Sequence, residues 1–109
     1  VRQCFLQLLV NSFHYPASLI AVEKEMILNG RKKRFDILVY STMHQPWMLV
    51  ECKAPEVEMN EKVLRQALVY HQAVPVQYIF ITNGNTTLGW EKRKGHLELV
   101  WQVPEWRKS

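Results

Sequence analysis

"RFDILVYSTMHQPWMLVECKAPE", residues 34–56, decides the fold. Two runs rich in β-branched and aromatic residues flank the polar loop "STMHQP" and read as an antiparallel hairpin. One strand is expected over 33–40 and the next over 47–53. Ile37, Leu38, Val39, Met48, Leu49, Val50 and Cys52 leave no polar face, the pattern of strands covered on both sides. Charge enters only at one end, as Asp36, Glu51 and Lys53. With Tyr40 opposite Trp47, counting back along both strands sets Asp36 opposite Glu51, and opposed residues share a face. Lys53, two residues beyond Glu51, shares it as well. Charges beside a core are costly unless paired, hydrogen-bonded or bound to a cation. The three are therefore either an ion pair on a sheet edge or a site.

Outward from the hairpin, "VRQCFLQLLVNSF" carries Val1, Phe5, Leu8, Leu9 and Phe13 on one stripe and predicts an amphipathic first helix. "HYPAS" ends it, because the residue before Pro16 is pushed out of the helical region. "LIAVEKEMIL" predicts a strand over 22–28 that turns at Asn29-Gly30. After "APEVEM", Asn60 is a candidate N-cap with Glu61 in the first turn, which predicts a helix over 61–73. Its packing stripe is Val63, Leu64, Ala67, Leu68, Tyr70 and His71, and Val74-Pro75 closes it. "VQYIFIT" is a fourth strand, and a helix between strands three and four implies a parallel, right-handed crossover. "TLGWE" and "HLELVW" form a last hairpin through Lys94-Gly95, and "VPEWRKS" is a tail. The fold class is α/β, an α+β mixed sheet flanked by helices, expected as a single domain over 1–109.

Composition narrows the function. The 109 residues are 48% hydrophobic and 22% charged, with no apolar run long enough to span a membrane and no export signal at the start. A soluble, cytoplasmic protein is the expectation, although a chain opening at Val1 without methionine is also what a trimmed fragment would look like. Cys4 and Cys52 are too few for a disulfide scaffold. His14, His44, His71 and His96 are too scattered for a histidine metal site. The net charge is +4, with basic runs at Arg31-Lys32-Lys33-Arg34, Lys92-Arg93-Lys94 and Arg107-Lys108. These suit solvated turns or a polyanion partner, and the first leads directly into Asp36, where Lys33 and Arg34 could steer phosphate. Trp90, Trp101 and Trp106 suit a core edge better than base stacking.

Two facing carboxylates repel unless one holds a proton or a cation lies between them. Oxygen ligands from Asp36, Glu51 and the main-chain carbonyl of Cys52 suit Mg²⁺ or Mn²⁺. Lys53 could orient or deprotonate an attacking water, or neutralise charge growing on a phosphate, and these are the parts of phosphodiester hydrolysis. Cys52 itself should point to the opposite, apolar face as a buried, inert thiol. The bland alternative is an Asp36–Lys53 salt bridge with Glu51 at a sheet edge, and the residues alone leave both open.

An α-β-β-β-α-β order with Asp36 on the second strand, "ECK" on the third and "QALVY" on the next helix resembles the PD-(D/E)xK nuclease superfamily. More narrowly, "VRQ", "YP", "VE", "KRFDILVY", "LVECKAP", "QALVY" and "ITNG", in this order, resemble the N-terminal nuclease domain of type I restriction enzyme R subunits. The resemblance implies a restriction-endonuclease-like core that hydrolyses DNA phosphodiester bonds with Mg²⁺ or Mn²⁺. It further implies that Asp36 and Glu51 bind the metal and Lys53 serves the attacking water. Glu23 would complete the acidic site, with Glu25 the lesser candidate, and Gln66 and Tyr70 would hold DNA or order the site. Partners would be DNA and the motor and specificity subunits of a restriction system, not a membrane. No GxxxxGK[ST] phosphate loop is present, so an ATP-driven motor is not expected within these residues. A non-catalytic nucleic-acid-binding or protein-interaction module on the same fold is the alternative.

Overall fold

Ile37, Leu38 and Val39 are completely shielded from solvent, as are Met48, Leu49 and Val50. They lie in the middle of a six-stranded sheet in the computed structural model, which describes residues 1–28 and 30–106. The strands are β1 (Ile20–Leu28), β2 (Arg31–Tyr40), β3 (Pro46–Cys52), β4 (Tyr78–Thr82), β5 (Thr87–Arg93) and β6 (His96–Val100), and they neighbour one another in chain order. Every pairing is antiparallel except β3 with β4, between which α2 (Glu61–Ala73) makes the crossover. The first helix, α1 (Arg2–Gln7), runs into a π-helical turn at Leu8–Ser12, closed by the bond from the Phe13 amide to the Leu8 carbonyl at 3.1 Å.

The sheet is covered on both faces, as the doubly apolar strands required. On one side Phe5 and Leu9 pack on Ile37, Val39, Met48, Val50 and Phe80. On the other, Val63, Ala67 and Tyr70 of α2 pack on Leu38, Leu49, Ile79 and Ile81. Each of the larger aliphatic and Phe side chains among them contributes roughly 1.5–3 kcal/mol by burial. Asn60 caps α2 as expected, its Oδ1 accepting from the Lys62 amide at 3.0 Å.

Several expectations need correction. β1 begins earlier than its apolar content signals because Ile20 and Ala21 pair with Val39 and Leu38, and β2 because its ladder with β1 continues through the exposed run Arg31–Arg34. The strand expected from 76 begins at Tyr78, and β3 ends at Cys52, one residue short of Lys53. Tyr40 pairs with Pro46, not Trp47, through a register shift after Val39. That irregularity lies on the loop side, so the pairs Val39↔Met48, Leu38↔Leu49 and Ile37↔Val50 fall where counting placed them. Of the stripe expected on the first helix, Phe5 and Leu9 are buried while Val1 and Leu8 are exposed. Leu64 and Leu68 stay outside the core at 41% and 44% exposure, and the buried residues of α2 are Val63, Ala67 and Tyr70. Trp90 is buried, whereas Trp101 is 89% exposed and fills no core edge. Gly30, at φ +78, suits the expected turn, while its partner Asn29 and the basic tail Arg107-Lys108 lie outside the described residues.

Gly89 shows how tight the sheet is. It lies opposite Phe80, whose buried ring covers it and would overlap any added Cβ. That ring is itself wedged beside Phe5 and Tyr78. Gly89→Ala should therefore cost about 1–3 kcal/mol, and a thermal melt of the variant against wild type would measure it. An unchanged melting temperature would show that the ring can move aside.

Candidate metal and nucleic-acid site

The charged end of the hairpin lies where β2 and β3 part. Their last paired residues toward this end are Ile37 and Val50. The next inward amide, that of Cys52, donates instead to the Asp36 carboxylate, at 2.7 Å to Oδ2. Asp36 thus ends the ladder with its side chain. It also marks a change of face: Phe35 packs with the α2 cluster and Ile37 with the α1 cluster, although residues two apart on a regular strand share a face. β2 is twisted at Asp36, and the strand beside it is distorted at the same level. Val22↔Ile37 and Lys24↔Phe35 set Glu23 across from Asp36. Glu23 has φ +52 and, among the described residues, is alone in combining positive φ with a place inside a strand.

Glu51 is buried, at 6% exposure. The Tyr70 hydroxyl donates to its Oε2 at 2.7 Å, and the Gln66 amide donates to the Tyr70 oxygen at 2.7 Å. This chain explains why Gln66 and Tyr70 stand one helical turn apart: together they fix the rotamer of a buried carboxylate on the sheet below. Tyr70 also packs edge-on against Phe35, with ring centroids 5.2 Å apart. Its hydroxyl is pushed well above the ordinary tyrosine range, first by burial and then by its bond to Glu51, so it stays a donor.

The two carboxyl groups influence each other, and their titrations are pushed in opposite directions. Burial, the Asp36 hydrogen bond and the Asp36 charge push Glu51 up to about 7, against the Tyr70 bond and Lys33. For Asp36, burial is outweighed by hydrogen bonds from Glu51 and the Cys52 amide and by the charges of Arg2 and Lys33, which hold it below the usual carboxylate range. Near neutral pH the pair is therefore poised between one negative charge and two, the crowding that a divalent cation relieves. The donor set fits a hard cation on this ground: one ionised carboxylate, one on the edge of ionising, and the neighbouring Cys52 peptide. No group of three or more His, Cys, Asp or Glu residues comes together as a metal cage among the described residues.

The remaining expected residues are placed unevenly. Lys53 is half-buried, its amide tied to the Thr82 carbonyl at 2.7 Å. It lines an open groove with Gln66, Lys62 and Asn60 beside the first turns of α2. No Asp36–Lys53 salt bridge forms among the described residues, which removes the bland pairing. The lysine that reaches Glu51 is Lys33, at 3.5 Å from Oε2 and 5.7 Å from the Tyr70 ring centre. Arg34, the next residue, is exposed beside Glu25 on β1. Glu23 is exposed and bound to Arg2 at 2.9 Å, and Glu25 lies 3.6 Å from Lys32, so neither carboxylate joins Asp36 and Glu51. Cys52 faces the α1 cluster as expected but is only half-buried, and burial together with the carboxylates pushes its thiol up to about 11. Arg93 is taken up by Glu91 and Glu98 at 2.7 and 3.3 Å.

Two residues were missed. Arg2 was read only as the polar side of the first helix, though "VRQ" opens the run of matching motifs. Asn83 of "ITNG" is buried, accepts from the Asn85 and Thr86 amides, and donates to the Val57 carbonyl at 2.8 Å. It pins the loop that walls the groove. An asparagine placed straight after an apolar strand was the available signal.

The profile of the type I restriction enzyme R protein N terminus matches residues 1–104. The chain belongs to this family. Comparison with curated proteins found no significant match. Family membership sets the domain in the context of restriction systems acting on DNA. Among the described residues no helix is long and apolar enough to cross a membrane.

Proposed function

We propose that this member of the R-protein N-terminal family is a metal-dependent DNA endonuclease domain with a restriction-endonuclease-like core, hydrolysing phosphodiester bonds at the fork between β2 and β3. The observation that carries the reading is the pair of carboxylates held at one fork, Asp36 by the Cys52 amide and the buried Glu51, one residue before Cys52, by Tyr70, with Glu51 pushed up to about 7 by burial and by Asp36. A structural ion pair has no need of a second carboxylate that opposes the ionisation of the first. Mg²⁺ or Mn²⁺ would be held by both carboxylates and the Cys52 carbonyl, where it would supply positive charge to the attacking and leaving oxygens.

The chain's own residues do the rest. Tyr70 and Gln66 hold Glu51 in one orientation, and the Cys52 amide does the same for Asp36. Lys53, at the mouth of the groove, takes up the proton of the attacking water or answers charge growing on the phosphate. Lys33 and Arg34 bring positive charge to the substrate side of β2. Activity within a restriction enzyme would draw on motor and specificity partners.

The test is incubation of wild type and Asp36→Asn with supercoiled and linear DNA, with and without Mg²⁺ or Mn²⁺, alongside thermal melts. Wild type should be stabilised by metal and should cut only in its presence. Asp36→Asn keeps an acceptor for the Cys52 amide and should fold, yet show neither response. No metal-induced rise in melting temperature for wild type would sink the nuclease reading. It would favour instead a binding module, in which Lys33 is the only counter-ion that Glu51 requires.

A further inference from the structure

Glu23 was expected to complete the acidic set, but its carboxylate is engaged elsewhere. Oε1 lies 2.9 Å from Nη1 of Arg2, whose side chain is 34% exposed. The position is also costly to build. A glutamate at φ +52 within a strand carries strain on the order of 1 kcal/mol. A surface ion pair repays little of that. The strained residue sits across from Asp36, at the level where β2 changes face and where β2 and β3 part. Three distortions thus meet at one level, and what they hold there is a guanidinium. Arg2 approaches from α1, while Lys33 approaches the acidic pair from the α2 side, tied to Glu51.

We propose that Arg2, anchored by Glu23 at the strand position across from Asp36, grips a phosphate of the nucleic-acid backbone at this site, and that Glu23 is its positioning partner rather than a metal ligand. The identity of the ligand rests on the nuclease reading; the assignment of the two side chains rests on their geometry. A guanidinium carries five N–H donors in a rigid fork. The ion pair with Glu23 is made through Nη1, and a fork held from one side presents its other donors in a fixed plane. That is the geometry in which arginine takes two phosphate oxygens at once, and lysine cannot reproduce it. The same charge lies close enough to Asp36 to help keep that carboxylate ionised.

The test uses the whole chain in EDTA, so that cleavage plays no part. Binding of a fluorescent DNA duplex is followed by anisotropy over a range of salt concentrations, for wild type, Arg2→Met, Arg2→Lys and Glu23→Gln, each checked for folding by thermal melt. Arg2→Met should weaken binding about tenfold and flatten the dependence of log K on log salt by about one phosphate contact. Arg2→Lys should restore the salt slope but only part of the affinity. Glu23→Gln should weaken binding less than Arg2→Met and leave the Mg²⁺-induced rise in melting temperature intact. An Arg2→Met protein with wild-type affinity and slope overturns the proposal, as does a wild type that binds no DNA. A Glu23→Gln protein that no longer responds to Mg²⁺ overturns it too, by making Glu23 a ligand. Metal-dependent cleavage with an indifferent Arg2→Met would defeat this proposal alone, whereas an Arg2-dependent salt slope in a wild type that metal does not stabilise would defeat the nuclease reading alone.

Discussion

Lys53→Ala should lower metal-dependent DNA cleavage by about 10²–10⁴-fold, the usual contribution of a positioned proton-transfer group, while the protein keeps its fold. The fold is spared because the lysine's fixed contact is through its amide, bonded to Thr82, and the substitution leaves the amide in place. Its side chain lines an open groove rather than the core. A half-exposed truncation of this kind changes stability by about 0.5 kcal/mol or less. Lys53→Arg then separates the two roles open to the lysine. Arginine keeps the charge but cannot give up its proton, so it should rescue cleavage only if Lys53 acts by neutralising phosphate charge. Single-turnover cleavage of a plasmid, with melting temperatures as the folding control, gives both readouts. Equal nicking by wild type and Lys53→Ala would remove Lys53 from the mechanism.

The second large effect runs against intuition: Glu51→Gln should make the metal-free protein more stable at pH 8 while removing its response to Mg²⁺. Glu51 is pushed up to about 7 from 4.5 because burial and Asp36 oppose its charge. A folded-state value above the unfolded one means that the native state holds the proton more tightly. Stability is then fullest below pH 4.5 and falls as the pH climbs through 7, where the loss is complete. At 1.36 kcal/mol per unit the full loss is about 3 kcal/mol, or on the order of 10 °C in a domain of this size. Glutamine never ionises and still offers an acceptor to Tyr70, so the variant should melt about level with wild type at pH 4.5 and well above it at pH 8. Melts in EDTA at the two pH values test this, and added Mg²⁺ should narrow the gap at pH 8 by stabilising wild type alone. If the two proteins melt together at both pH values, Glu51 is not the strained group that the site requires.

Some of this was legible in the chain and some was not, for physical reasons. The hairpin register could be counted because strands covered on both faces admit few alternatives, and because the one slip at Tyr40 and Pro46 lies on the loop side of the site. α2 could be bounded to the residue because its signals are local: Asn60 at one end, Val74-Pro75 at the other. What stayed hidden depends on distant parts meeting. Asp36 reaches its place through a change of face at Phe35–Ile37 that period-2 reasoning does not foresee. Lys33 rather than Lys53 touches Glu51 because that same change turns Lys33 and Phe35 toward Tyr70. Arg2 was invisible as a site residue since nothing in "VRQ" says where the first helix will lie. Leu64 and Leu68 misled because helical periodicity shows which side of a helix is apolar, not how wide a stripe the sheet below can cover.

The strand order has a consequence of its own. Each strand's neighbours in the sheet are its neighbours along the chain, so most contacts close short loops, the arrangement associated with rapid folding. The exception is the β3–β4 pairing, which must wait for α2 to form and fold back. Both acidic residues and Lys33 come from the β2–β3 segment that precedes this step, but Tyr70, which fixes Glu51, arrives only with the crossover. A chain emerging from the ribosome would therefore hold its carboxylates loosely until residue 70 docks. The chemistry proposed for this site would be withheld from incomplete chains by the order of assembly alone.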